Sequence, residues 1–389
     1  MMKLKFLQNW KKEYNSAIVF GTGYWGIITM YLLKDAGIHV IGCMDNNSEK
    51  YNTLYLKDIE CQEPRFMGDY PIVITVKNEF FAKQIWQQCK KLGYRKIVEV
   101  DFDELKRSFV SMSDKKYIEM IYAARFNGYM IDWNNLKTFN EKIQYLKLYD
   151  RKPEYTRMVD KYEVKKYVSE KIGSQYTIPT LGVWEHFDEI NFDELPNQFV
   201  LKCTHDSESV IVVTDKNKLD LEEVKNRLEK SLSVNYYELG REWAYKDVQP
   251  RIIAETYMKD GNAKGLTDYK FYCFHGEPCF LYISEGLEDH ATARISFVTM
   301  EWELAQYERS DFAPFEKLPD KPKTFEEMIY ISRVLAKNIP FVRIDLYQIN
   351  GKVYFSEMTL YPASGWLPLK KIEHDVQIGE MLKIDLDSV

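Results

Sequence analysis

Short apolar runs alternate with amphipathic stretches through the first hundred residues. Residues 16–20 read as an apolar strand, and Gly21-Thr-Gly-Tyr-Trp-Gly26 follows at once. Ile27, Ile28, Met30, Tyr31 and Leu32 then carry a helical pattern that stops at Gly37. Residues 38–43, 71–76 and 96–100 predict three further strands, and 80–92 a helix. Alternating strand and helix predicts a doubly wound parallel sheet over residues 1–105. Residues 106–150 read as a helical connector. Within it Thr138-Phe-Asn-Glu141 is a capping box, with Phe139, Ile143 and Leu146 on one face. Asp160-Lys-Tyr-Glu163 predicts a second box, opening a helix that ends at Gly173.

Residues 151–389 form a third region with an α+β pattern. Strands are expected at 198–203, 210–213, 251–257, 269–274 and 279–284, with Gly276-Glu277-Pro278 as the last turn. Residues 324–337 read as an amphipathic helix, and 340–347 with 352–359 as a hairpin turning at Asn350-Gly351. Register decides what that hairpin can do. A two-residue turn pairs Asp345 with Ser356 and sends Glu357 to the opposite face. A three-residue loop, Ile349-Asn350-Gly351, is therefore the expectation, with Gly351 left-handed in a bulge. Arg343 then opposes Glu357, and Asp345 opposes Phe355. Asp345 and Glu357 become diagonal neighbours at about 7–8 Å. Carboxylates at that spacing can share Mg²⁺, which favours oxygen ligands. The bland alternative is an exposed hairpin with an Arg343–Glu357 ion pair.

Composition narrows the function. The 389 residues carry a net charge of −6 with lysines and acids interspersed, so no general grip on nucleic acid is expected. The six cysteines are widely spaced without zinc spacing and suggest a reducing cytoplasm. Residues 1–10 lack the apolar segment of a signal peptide, and no run is long enough to span a membrane.

Phe199-Val-Leu-Lys-Cys-Thr-His-Asp206, Arg251-Ile-Ile-Ala-Glu255, Asp268-Tyr-Lys-Phe271 and the hairpin through Gly365 keep a fixed order behind Val159-Asp-Lys161. Together with 138–150 they resemble the TupA-like ATP-grasp family, over roughly residues 120–385. That resemblance implies an ATP-grasp module using ATP and Mg²⁺, and an association with bacterial capsule, teichuronopeptide and exopolysaccharide biosynthesis and its enzymes. It matches Lys161 and Lys202 to nucleotide-binding lysines. Glu255, with the Met258 backbone, matches the hinge beside the adenine. It matches Lys270 to a basic position on the central sheet and Arg343 to the arginine facing the transferred phosphate. Asp345 and Glu357 match metal carboxylates, and Thr359 stands where an asparagine ligand is usual. The implied reaction is carboxylate–amine ligation through an acylphosphate, on a uronic acid or amino acid and an amine.

One departure concerns the phosphate flap, which is glycine-rich in the family and reads His205-Asp206-Ser207-Glu208-Ser209 here. Either Glu208 points outward and Ser207 and Ser209 cover the phosphates, or ATP binding is weakened. The second case makes the protein a nucleotide-sugar-binding or regulatory one with a degraded module. A metal-dependent glycosyltransferase is a further alternative. His205 reads as a substrate or phosphate contact, or equally as a hydrogen-bonded strand-end residue.

Gly21, Gly23 and Gly26 form a G-x-G-x-x-G fingerprint, and Asp45 ends the next strand where an acid could meet a ribose. The region resembles the Rossmann-type domains of sugar-nucleotide enzymes, which implies a nucleotide or nucleotide sugar at the helix N-terminus.

Overall fold

The apolar run Ser16–Phe20 forms β1, and the glycine-rich turn after it opens α1 (Tyr24–Asp35). The computed structural model describes residues 12–207, 209–261, 266–286 and 293–385. Residues 1–10 and Glu208, both singled out above, lie outside the described residues. The chain divides into two compact units, Met1–Asn135 and Leu136–Val389.

In the first unit β2 (His39–Met44), β3 (Leu54–Tyr55), β4 (Ile59–Gln62), β5 (Ile72–Ile74) and β6 (Ile97–Glu99) join β1 in one sheet, in the order β3-β4-β2-β1-β5-β6. All neighbours are parallel except β3 and β4. No periodicity along the chain marks β3 and β4. Their combined six residues are too short for a period of two to show. Helices α2 (Glu79–Lys91), α3 (Phe102–Phe109) and α4 (Asp114–Arg125) complete the unit. Ile18, Phe20, Ile72 and Ile74 pack with Ala82 and Ile85 of α2 in one core.

The second unit begins with α5 (Phe139–Tyr149), α6 (Glu154–Val159) and α7 (Glu163–Ile172). The box at Thr138 forms as expected: Thr138 Oγ1 accepts from Glu141 N, and Glu141 accepts from Thr138 N. The second box is half formed. Asp160 accepts from Tyr162 and Glu163 N–H groups, but its own N–H is taken by Thr156 O, and Glu163 pairs with Arg251.

Two antiparallel sheets follow. β7 (Thr180–Trp184), β8 (Phe199–Cys203), β9 (Ile211–Val213) and β10 (Ile252–Thr256) order as β7-β10-β8-β9. α8 (Leu221–Leu232) covers this sheet with Val224 and Leu228, and α9 (Tyr237–Gly240) follows. β11 (Asp268–Phe274), β12 (Glu277–Glu285), β13 (Arg294–Thr299), β14 (Phe341–Ile349) and β15 (Lys352–Thr359) order as β13-β12-β11-β14-β15. The β11–β12 turn is His275-Gly276, both left-handed, and not Gly276-Glu277-Pro278. Pro278 fits inside β12 opposite a register shift, where the ladder is already irregular.

α10 (Phe325–Ala336) packs on one face of the five-stranded sheet, with Phe325 against Phe271. α5 covers one end of the opposite face: Phe139 meets Tyr272, Phe274 and Phe341 at 4.9–6.2 Å. Phe139 is fully buried, a burial worth about 2–3 kcal/mol. Further along that face lie the polar residues of the candidate site.

The terminal helix α11 (Ile372–Met381) docks through Asp375, which accepts from Asn140 N (3.0 Å) and Nδ2 (2.8 Å). Burial pushes the Asp375 carboxyl up to about 6, against those donors. An unfolded aspartate titrates near about 4. The native state therefore binds the proton more tightly, and the stability this group contributes rises as pH falls through that window. Relative to Asp375→Asn, the wild type should gain up to about 3 kcal/mol between pH 7 and pH 4. Urea unfolding of both proteins checks this, and parallel pH profiles would sink it. Among the described residues no helix is long and apolar enough to cross a membrane.

Candidate active site

Cross-strand pairing builds the site on the five-stranded sheet. Tyr282 of β12 stands opposite Lys270, Lys270 opposite Asp345, and Asp345 opposite Glu357. A second row on the same face runs Tyr272, Arg343, Thr359. One face thus gathers Lys270, Arg343, Asp345, Glu357 and Thr359 from three strands.

The hairpin reaches this result by a route the sequence did not suggest. The turn has two residues, Asn350 and Gly351, with φ of 50° and 74°. That is the hairpin turn Asn-Gly favours, and it is further held by Asn350 N donating to Asp260 at 2.7 Å. The expected three-residue loop is wrong. Pairing runs from Ile349–Lys352 to Leu346–Phe355, and then Asp345 pairs with Glu357. Ser356 is the extra residue, a β-bulge that turns Glu357 back to the face of Asp345. Arg343 opposes Thr359, not Glu357, and the two carboxylates are directly opposite instead of diagonal.

Asp345 is fully buried. Arg343 holds it with two hydrogen bonds, Nε to Oδ1 (2.7 Å) and Nη2 to Oδ2 (2.6 Å), and Lys270 Nζ adds a third at 2.8 Å. Arg343 Nη2 also donates to Glu357 (2.6 Å) and Thr359 (3.0 Å), and Thr359 donates to Glu357 (3.1 Å). Burial pushes the Asp345 carboxyl up, and the two cations work against that rise. Burial would raise Glu357 as well, but Arg343, Lys270 and Lys161 outweigh it and hold its carboxyl down at about 2. Lys270 is held above its ordinary value: burial lowers it, but Asp345, Asp268 and Tyr282 more than compensate.

The donor set suits a hard cation. Two ionisable carboxylates and one hydroxyl share a face, and Mg²⁺ asks for one or two protein carboxylates beside phosphate and water oxygens. Among the described residues no group of three or more His, Cys, Asp or Glu gathers for a metal.

The nucleotide-binding candidates sit on the four-stranded sheet. Glu255 is clamped by Lys202 (2.5 Å) and by Lys165, which also donates to Ile178 O at 2.6 Å. Burial would raise Glu255, and the two lysines hold it below its ordinary value. Lys165 was not read from the sequence, although it lies one helical turn beyond Lys161. Lys161 donates to Asp206 O. Burial lowers its ammonium below the ordinary value, and its neighbours are Glu357, Lys202 and Asp206. Lys161 thereby connects the lysine cluster to the carboxylates. Met258 is half-buried just beyond β10.

Of the flap residues, His205 takes up one of its two expected roles, and Ser209 makes contacts within the hairpin. His205 is buried, and its Nε2 meets Ser231 O (3.2 Å) and Val234 O (3.1 Å) at the end of α8. Both partners are carbonyls, so Nε2 carries the proton and His205 caps the helix. These are the contacts of the hydrogen-bonded strand-end reading. Ser209 is also buried: its hydroxyl donates to Asp206 (2.6 Å) and accepts from Cys203 N (2.7 Å). Its hydroxyl is engaged inside the hairpin. Ser207 is exposed, with Tyr236 Oη 3.0 Å away.

In the first unit, Gly21 and Gly23 line a cavity of about 310 Å³ with Tyr24, Asn46, Lys50 and Thr75, and Gly26 of the same motif lies outside its lining. Asp45 lines the same cavity. Thr22 N (2.9 Å), Thr22 Oγ1 (2.7 Å) and Lys50 Nζ (2.9 Å) donate to its Oδ2, and Asn47 N (3.0 Å) donates to its Oδ1. Asp45 thus braces the glycine turn through Oδ2, while Oδ1 keeps acceptor capacity.

Known proteins can now be set beside this geometry. Similar solved structures include D-alanine–D-alanine ligase from Bacillus anthracis, at 14% identity over 89% of this chain and 86% of that one, with a TM-score of 0.32. The ligase of the same name from Helicobacter pylori is 12% identical over 96% and 100%, with a TM-score of 0.30. N5-carboxyaminoimidazole synthase from Aspergillus clavatus is 10% identical over 96% and 79%, with a TM-score of 0.32. No curated protein matches the chain. A family model described as TupA-like ATPgrasp matches residues 141–383. That span contains every residue of the two-sheet site and more than half of the sequence, and the chain belongs to the TupA-like ATP-grasp family.

Proposed function

We propose that the protein is an ATP-dependent carboxylate–amine ligase. The observation that carries this is the row Lys270–Asp345–Glu357 beside Arg343, with Lys161 linking it to the lysine pair on Glu255. Phosphoryl transfer requires cations on the moving phosphate and acids for a metal, and this arrangement offers both. In this reading ATP phosphorylates the substrate carboxylate. An amine then attacks the acylphosphate, forming the amide and releasing phosphate. Lys161 and Lys202 hold the phosphates, Glu255 and the Met258 backbone lie at the base, and Arg343 and Lys270 stabilise the charge that develops on the transferred group. Mg²⁺ on Asp345 and Glu357, with Thr359 as an auxiliary oxygen, would neutralise phosphate charge. Family membership supports a role in surface-polysaccharide assembly in the cytoplasm, with a uronic acid or amino acid as the acid.

The test uses hydroxylamine as a generic amine. Purified protein with Mg·ATP and a panel of uronic and amino acids should yield hydroxamate and ADP in equal amounts. ADP formation with no hydroxamate from any acid, or none of either, would count against the reading.

A second reading concerns the first unit. The cavity beside Gly23 and Lys50 favours a nucleotide or nucleotide sugar there. A sugar nucleotide should raise the thermal midpoint of wild type and not of Lys50→Glu.

A further inference from the structure

Asn140, Gln144 and Lys147 fall at i, i+4 and i+7 on α5, and all three are fully buried. A helix face turned inward is normally apolar. This one makes six hydrogen bonds to a single loop, residues 364–367. Asn140 accepts from Leu367 N (2.7 Å) and donates to Leu367 O (3.1 Å). Gln144 donates to Ser364 O (3.1 Å) and Gly365 O (2.8 Å). Lys147 donates to Ser364 O (2.6 Å) and Ser364 Oγ (2.9 Å).

The loop is strained. Ala363, Ser364 and Gly365 are left-handed in succession, with φ of 48°, 55° and 68°. Left-handed geometry costs a non-glycine residue roughly 1–2 kcal/mol. A Cβ at Gly365 would lie 2.3 Å from Gln144 Nε2, so the contact leaves no room for one. Lys147 reaches a second turn as well: it donates to Gly240 O (2.9 Å), just before left-handed Arg241. A Cβ at Gly240 would lie 2.4 Å from Ser364 Oγ. Glu242 is also buried: burial pushes its carboxyl up, and the Lys147 ammonium and Ser364 work against that rise. One buried ammonium therefore pins two left-handed turns to each other.

Both turns lead to the site. The loop continues directly from Glu357 and Thr359 at the end of β15. The other turn belongs to the segment bearing Tyr236, whose hydroxyl meets flap residue Ser207, and Tyr245, whose ring lies 4.9 Å from that of Tyr236. Stability alone is a poor reason for such a node, because apolar groups of similar volume often serve a core as well as a buried charge. What Met or Leu could not do is fix the direction of the loop's carbonyls. Strain of this kind persists where the surroundings over-determine it, and it clusters at reacting sites.

We infer that Lys147 is a positioning residue for ligation, holding the 361–367 loop and the Gly240 turn in register on either side of the reaction chamber. The inference rests on the ligase reading above. Lys147→Met keeps the length and removes the donors, and Lys147→Arg keeps the charge. The full chain is used, with ADP release measured against acid and ATP, and Mg·ADP affinity measured by calorimetry. For folded Lys147→Met, kcat should fall at least about 30-fold while the Kd for Mg·ADP stays within about twofold, because Lys161, Lys202 and Glu255 are untouched; a 30-fold change corresponds to about 2 kcal/mol. Lys147→Arg should recover part of the loss. Deuterium exchange in residues 361–367 should speed up in the Met variant. Should Lys147→Met fail to fold, Gln144→Met, which removes two of the six contacts, should show the same split. Unchanged kcat in a folded variant, or kcat and ADP affinity falling together, overturns the inference. A wild type that releases no ADP overturns the ligase reading and this inference with it.

Discussion

Asp345→Asn should cut kcat for ADP release by about 10²–10³-fold or more, the scale on which one electrostatic partner of a transition state is lost. The same change should weaken folding. Asp345 is the shared partner of Arg343 and Lys270, both about nine-tenths buried. Removing one side of a buried pair costs on the order of 3–5 kcal/mol, because the other side stays buried and charged. Glu357→Gln separates the two effects. Its side chain is 37% exposed, so solvent screens its charge, and among the described residues its ion pair is with Arg343. It should lose activity on a similar scale with a much smaller change in stability. The comparison requires kcat per folded molecule, with the folded fraction taken from circular dichroism at the assay temperature. If the activity of Asp345→Asn simply follows its folded fraction, the acid has no role in the chemistry.

Gly26→Ala should destabilise the first unit by about 3 kcal/mol, and Gly23→Ala should leave it almost unchanged. A Cβ on Gly26 would lie 1.9 Å from the Gly21 carbonyl oxygen. That neighbour is backbone and cannot swing aside, so the helix would have to lift from the turn. A Cβ on Gly23 meets nothing within 4 Å, and its φ of −74° is open to any residue. The two glycines share one motif and do different jobs. Gly26 permits close packing, whereas Gly23 keeps the approach to the cavity clear. Alanine at Gly23 should therefore weaken any nucleotide that binds there without moving the denaturation midpoint. Equal destabilisation by the two changes would refute this division.

Much of the fold was legible because period and punctuation are local. The apolar run at 16–20, the Thr138 box and the strands around Lys202 and Lys270 were all placed from sequence. The ordered motifs also located the candidate site, since residues matched one by one carry their neighbours with them. What stayed hidden was non-local. Nothing in the run from Lys352 to Thr359 marks Ser356 as an extra residue, because a bulge is a property of two strands and not one. Motif position also could not say which side chains the flap hairpin consumes for itself. His205 and Ser209 look available in sequence, but α8 and Asp206 take them. Asp45 shows the same effect in part: an acid after the second strand suits a ribose, and Thr22 and Lys50 also draw its Oδ2 onto the glycine turn. Lys165 was overlooked because its role depends on Glu255, some ninety residues away.

The bulge at Ser356 also makes the hairpin modular. Toward the tip, residues 346–355 pair in the register set by Asn350-Gly351; toward the site, Asp345 and Glu357 pair in another. Lengthening or shortening both strands equally between the bulge and the tip would leave the carboxylates facing each other, so that part of the hairpin can accept grafted sequence. Deleting Ser356 alone would remove the bulge, and Glu357, now next after Phe355, would still stand opposite Asp345 in a regular ladder. A regular ladder that kept Ser356 would do the opposite: Ser356 would pair with Asp345, and Glu357 would turn to the face covered by α10. The acid pair therefore depends on how the strands count past position 356 and not on which residue fills the bulge.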